Sequence, residues 1–219
     1  MAVITGLKNI QKVIEKPKGA MDAPKATWLK LEDGQGIKVR FINEVDGDSK
    51  FYDENRGLAI VVAEHTNPKD YRRKAVCTMD DEGRCYGCEM ARKEPKTGWK
   101  ARLRFYCNVL VDDGNKDPYV AIWSQGVGPK VTSTNTIFEY ASDNGSISNL
   151  IWRLKRNGTG TQTNYVLIPI APDTETFDWS GIEPYDLQKS AIRNVNYPDQ
   201  ESFYMGLIED TTTSTAVDW

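Results

Sequence analysis

From Trp28 to Ile170 the chain alternates short apolar runs with glycine-bearing turns, and several runs have the two-residue period of strands. Ile37, Val39 and Phe41 alternate with Lys38 and Arg40 after Asp33-Gly34-Gln35-Gly36. With Trp28, Leu29 and Leu31 ahead of that turn, the reading is a hairpin with one polar, basic face. Leu58 to Ala63 is short, apolar and preceded by Gly57, which predicts a buried strand with His65 just past its end. Arg102 to Val111 and Tyr119 to Trp123 flank Asp112-Asp113-Gly114-Asn115, a second hairpin. Alternation there sets Arg102, Arg104 and Tyr106 on one face and Leu103, Phe105 and Cys107 on the other. Leu150 to Lys155 and Tyr165 to Ile170 form a further pair around Asn157-Gly158-Thr159-Gly160, and Thr134 to Ala141 has a weak helical pattern.

These strands and turns predict a mainly β protein, a small barrel or sandwich. With 219 residues, 39% of them apolar, the chain can bury a real core. Pro17, Gly19 and Pro24 among lysines mark residues 1–27 as a flexible arm. The body is 28–170, within which 65–100, rich in charge and cysteine and poor in periodicity, reads as an insertion held by metal. Residues 171–219 lose apolar periodicity, and Thr211 to Thr215 predicts disorder near the end.

Charge changes the picture once it is divided along the chain. The net charge is −3, but residues 1–170 carry 26 Lys and Arg against 21 Asp and Glu, whereas residues 171–219 carry 2 against 10. A positive body followed by an acidic region predicts a surface for polyanions and a segment that competes for it or recruits basic partners. No run of eighteen apolar residues occurs, and Met1 to Ile14 has no signal-peptide pattern, so the expectation is a cytoplasmic protein without a membrane segment.

In a reducing compartment, clustered cysteines favour metal over disulfide. Cys85-Tyr86-Gly87-Cys88 is a C-x2-C knuckle, with Gly87 expected to relieve the backbone of its turn. Cys77 and His65, the only histidine, complete three thiolates and one imidazole, a closed tetrahedral set suited to one structural zinc ion. Cys107 is the competing fourth ligand, although its apolar strand also suits a small buried side chain.

Single-strand binding needs cations for phosphates and flat rings for bases. Tyr71-Arg72-Arg73-Lys74, the stretch from Trp99 through Arg102 and Arg104 to Tyr106, and Trp152 to Arg156 interleave both. The predicted contacts are Lys38, Arg40, Arg72, Arg73, Lys74, Arg102 and Arg104 to phosphates, Tyr71, Trp99 and Tyr106 to bases, and Lys155 and Arg156 on the opposite wall. No P-loop, G-x-S-x-G or second histidine argues for an enzyme. The rival readings are a zinc-containing adaptor or transcription module that binds protein or duplex DNA, and a virion structural protein.

The order of these parts resembles the single-stranded-DNA-binding proteins of tailed bacteriophages. His65, Tyr71 to Lys74, Cys77 and the Cys85–Cys88 knuckle, then Asn108-Val109-Leu110-Val111-Asp112-Asp113, look like their zinc subdomain and the return to the body. Leu154 to Gly160 followed by Thr163-Asn164-Tyr165 is similar to a late hairpin in that family. The resemblance implies an oligonucleotide-binding barrel with an inserted zinc subdomain. It also implies binding and protection of single-stranded DNA in phage replication, recombination or repair, in the cytoplasm of an infected host. By the same likeness the acidic end, with Asp218 and Trp219, docks replication or recombination proteins. The arm before Trp28 is a candidate for cooperative self-association. In this chain the acids are spread from Asp173 to Asp218 instead of clustering at the very end.

Overall fold

The computed structural model describes residues 26–114, 117–172 and 178–208. Its strands are β1 (Gly36–Phe41), β2 (Ile60–Asn67), β3 (Asp70–Val76), β4 (Arg102–Asp112), β5 (Tyr119–Gly126), β6 (Leu150–Asn157) and β7 (Asn164–Pro172). All pair antiparallel in one sheet ordered β3-β2-β4-β1-β6-β7, with β5 also on β4. The eleven-residue β4 is the spine. Residues 102–106 pair with β2 and 109–112 with β1, while β5 runs beside 104–111. The helices are α1 (Met79–Glu82), α2 (Tyr86–Lys93), α3 (Thr132–Asn144), α4 (Leu187–Ser190) and α5 (Tyr197–Tyr204).

Strand alternation divides the side chains between two faces. The first face carries Ile37, Val39, Phe41, Phe105, Cys107, Val109, Trp152 and Leu154, and with Ile137 of α3 these form the main core. Trp152 and Trp123 meet Phe41 at 5.6 and 5.9 Å between ring centroids. The second face carries Lys38, Arg40, Arg102, Arg104, Tyr106, Asn108, Leu110, Arg153 and Lys155. At its centre Tyr106 and Ile122 are buried under Leu187, Ala191 and Ile192.

The hairpins β4–β5 and β6–β7 form at the turns that the sequence marks, and the weak helical pattern becomes the thirteen-residue α3. Other expectations change. The sheet is not closed into a barrel: its order ends at β3 and β7, which do not pair with each other among the described residues. Trp28 forms no hairpin with β1. It bridges in parallel to Ile122 and sets its ring edge-on to Tyr106, because β1 already has β4 on one side and β6 on the other. The strand foreseen at Leu58 to Ala63 lies further along, from Ile60, and contains His65; Leu58, ahead of it, and Val61 are exposed. Within residues 65–100, the end of β2 and all of β3 belong to the main sheet.

Residues 178–208 pack on the body. Asn108 and Tyr185 exchange two hydrogen bonds, from the Asn108 amide to the Tyr185 carbonyl and from the Tyr185 N–H to Asn108 Oδ1. Further on, the Val76 N–H donates to the Arg193 carbonyl, and the Arg193 guanidinium to the Arg72 carbonyl, so the edge of β3 is partly capped. Most of the arm at 1–27, together with Asp218 and Trp219, lies outside the described residues. No helix among the described residues is long and apolar enough to cross a membrane.

Candidate functional site

His65 Nε2 or Nδ1 and the sulfurs of Cys77, Cys85 and Cys88 lie within 4.8 Å of one another, so these four residues could hold a metal ion. Each comes from a different local device. His65 projects from β2, and Cys77 follows the end of β3. Cys85 occupies the N-cap of α2 in extended backbone, and Cys88 lies in the first turn of that helix. Backbone N–H groups of Thr78 and Cys88 reach Cys85, and that of Met79 reaches Cys77, the donors expected around metal-bound thiolates.

The imidazole is fixed on two sides. Its Nδ1 donates to the Trp99 carbonyl at 2.6 Å; a carbonyl only accepts, so the proton sits on Nδ1 and Nε2 is left for a metal. Nε2 lies 3.3 Å from the Cys88 sulfur, which is 3.6 Å from that of Cys77. Gly87 lies against the ring. A Cβ there would come within 2.6 Å of His65 Cδ2 and 2.7 Å of its Cβ. The φ of Gly87 is not positive, so its role is to make room for the imidazole and not to relieve a turn.

Charges in the cluster are set by competition. Burial opposes ionisation of Cys85, but bonds from His65 and from the two backbone N–H groups outweigh it and bring its pKa down to about 6. Burial and the neighbouring thiolates push Cys88 up to about 12, and burial raises Cys77. Burial also disfavours a charged His65, yet its bonds to Cys85 and Trp99 raise its pKa overall. An ion entering the site would displace protons from Cys77 and Cys88, which would make its affinity grow with pH. Three soft sulfurs and one nitrogen fit a tetrahedral ion and leave no place for a substrate. Cys107 lies elsewhere, fully buried in the main core with its sulfur 3.6 Å from Asn43 Oδ1.

Behind the cluster, Trp99, Tyr86, Phe203 and Tyr204 form a small aromatic core. Gln200 of α5 accepts from the Tyr86 N–H and donates to Thr78 Oγ1 and the Val195 carbonyl, and Asn67 donates to the Tyr204 carbonyl. Gln200, Tyr204 and the Trp99 carbonyl are site residues that the sequence reading misses. Tyr197-Pro198 after Asn196 is a helix-start signal that could have exposed α5.

The predicted polyanion contacts divide. A groove of 460 Å³ on the second face is lined by Glu64, Tyr71, Lys74, Lys100, Arg102 and Arg104, among others. Tyr71 is 68% exposed. Glu64, buried at the floor, accepts from the Tyr106 hydroxyl at 2.7 Å and lies 3.8 Å from both Lys74 Nζ and Arg104 Nε. Burial brings Lys74 down to about 8 despite that carboxylate. Arg72 is exposed beside Asp70. Lys38, Arg40 and Lys155 sit elsewhere on the same sheet face. Two rings expected to stack on bases are buried instead: Trp99, 4% exposed, packs against Tyr204, and Tyr106 is covered by α4 and the residues after it. Arg73 and Arg156 point to the first face. Arg73 donates to the Ile208 carbonyl, and Arg156 to the Leu31 carbonyl.

Two substitutions test the metal cluster. Cys88→Ser should abolish uptake of one equivalent of Co2+, read from the visible absorption of tetrahedral thiolate cobalt, whereas Cys107→Ser should leave it unchanged. Gly87→Ala should weaken metal affinity by about 10- to 100-fold, the range that disturbing a ligand's support produces, because the added methyl group displaces the His65 ring; competition with a chromogenic chelator measures it.

No protein-family model, curated protein or solved structure matches the chain.

Proposed function

We propose that the chain is a non-catalytic binder of single-stranded DNA whose zinc ion is structural. The observation that carries this reading is the groove in which Lys74, Lys100, Arg102 and Arg104 converge beside the exposed ring of Tyr71. Cations for phosphates next to a displayed ring are the elements of sequence-tolerant single-strand binding. The open groove admits an extended strand, while the aromatic ring offers one stacking platform. Zinc is the ion that three thiolates and an imidazole favour, and four protein donors leave it closed to chemistry. The phage family that the sequence resembles suggests work in replication, recombination or repair, with partner proteins recruited through the acidic C-terminal region.

A second reading, a zinc-containing adaptor for a protein partner, draws on Val61 and Leu103. These apolar side chains on adjacent strands are both exposed on the first face.

Fluorescence anisotropy of labelled oligo-dT and of a matched duplex separates the two. Four groove cations predict single-strand affinity falling with a log–log salt slope of about −3. Tyr71→Ala should cost roughly 1–3 kcal/mol, one stacked base. Chelated, metal-free protein should bind more weakly. Preference for duplex would point to the adaptor, as would absence of binding to either nucleic acid.

Lys74 adds a pH dependence. As pH rises from 7 to about 9 its ammonium discharges in the folded protein, so oligo-dT affinity should fall in a step centred near pH 8 that Lys74→Gln removes. The stability effect has the opposite sign. Between about 8 and the ordinary value of 10.5 only the unfolded chain keeps this proton, so the Lys74 contribution to folding becomes more favourable as pH rises through that window. Urea titrations of wild type and Lys74→Gln across it measure the difference.

A further inference from the structure

Away from the groove, on the same face of the sheet, lies a second cationic surface. Lys38 pairs across strands with Arg153, Gly36 pairs with Lys155, and Arg40 lies two residues along β1 from Lys38. Lys38, Arg153 and Lys155 are exposed and make no ion pair among the described residues. Arg153 also pairs across with Ile168, which is 50% exposed, and Lys155 with Val166, so the basic rows end against apolar ones. Asp112, opposite Lys38 on β4, is one acid at the rim, and its Oδ1 accepts from the Gly114 N–H.

Between this surface and the groove the C-terminal segment crosses the sheet, with Tyr185 on Asn108 and Leu187 and Ile192 over Tyr106. The two cationic areas are therefore separate places on one face and not two walls of one cleft. Their spacing follows from the register. Arg104 and Asp112 lie eight residues apart on β4, and Lys38 is opposite Asp112. At about 3.4 Å per residue this is a separation of roughly 27 Å.

We infer that the surface of Lys38, Arg40, Arg153 and Lys155 is a second contact for the same single strand, which leaves the groove, passes over the C-terminal segment and continues on β1 and β6. This rests on the proposed single-strand binding by the groove. A polyanion suits the surface because it gathers four cations from adjacent strands, and a flexible single strand can follow a sheet face across a step that a rigid duplex would bridge poorly. A nucleotide spans about 3.4 Å when stacked and roughly twice that when drawn out, so about four to eight nucleotides connect the two areas. With a few more seated in each, the footprint comes to roughly 8 to 14 nucleotides, within the range of comparable single-strand sites.

The test is the dependence of affinity on length, with labelled oligo-dT from about 4 to about 20 nucleotides. Wild-type protein should bind short oligonucleotides through the groove and gain at least tenfold once the length reaches the footprint. Arg153→Gln with Lys155→Gln should remove that gain and leave the short oligonucleotides unaffected, while Arg102→Gln weakens both. Since both altered side chains are exposed, the circular dichroism spectrum and melting temperature should match wild type; a loss of fold is met by reading each single variant in the same way. If affinity does not rise with length, or if the Arg153 and Lys155 variants keep the full gain, the second contact is wrong and the groove reading stands. An equal loss for short and long oligonucleotides would also overturn it, by making the two areas one site. If wild type binds no oligonucleotide of any length, the groove reading fails and this inference fails with it.

Discussion

The imidazole of His65 is the joint between the β2–β3 hairpin, α2 and the segment at Trp99. Its backbone is a rung of the main sheet, paired with Ala75 of β3, while its ring is held by the Trp99 carbonyl, the face of Gly87 and the Cys88 sulfur. Four successive segments, at residues 65, 75, 87–88 and 99, thus meet around one buried side chain. Without a bound ion the cluster must shelter one ionised thiolate and keep two thiols protonated. A bound ion would replace that balance of burial against charge with direct bonds, and so would convert a group of titratable side chains into a rigid fastening.

A similar economy governs the second face. A row of cations on an open sheet repels itself, and Glu64 at the groove floor offsets part of this by lying between Lys74 and Arg104 while accepting from Tyr106. The acid thereby holds two cations at the edge of the cleft without neutralising Lys100 or Arg102. The C-terminal segment does the rest. By burying Tyr106 and Ile122 it turns the centre of a two-faced sheet into core, which leaves cationic surface on either side of it.

How much of this the sequence contains depends on how local each signal is. The β4–β5 and β6–β7 hairpins follow from glycine-bearing turns between alternating runs, and the four metal-binding candidates from cysteine spacing and a lone histidine; these are short-range patterns. What covers a face is long-range. Tyr106 reads as exposed because it alternates with arginines, yet its cover comes from Leu187 and Ile192, about eighty residues on, in a stretch whose helices are too short to have a period. Trp99 is misplaced for the same reason, its packing partner being Tyr204. The open sheet was hidden because period-two alternation specifies strands and not closure, which is decided by whether the outermost strands find each other. Gly87 was singled out correctly but for the wrong cause, since the ring that needs its missing Cβ is twenty-two residues upstream.

The metal cluster and the groove lie on opposite sides of the same two strands, and this couples them. Glu64 faces the groove and His65 the cluster; on β3, Lys74 faces the groove and Ala75 packs in the aromatic core behind the metal candidates. Because side chains alternate residue by residue, a slip of one position in β2 would carry the imidazole into the groove and the carboxylate into the thiols. An ion fastening His65 and Cys77 to α2 would therefore fix the register of the β2–β3 hairpin, and that register decides which way Lys74 and Glu64 point. A bond network on one face thus sets the charge pattern on the other.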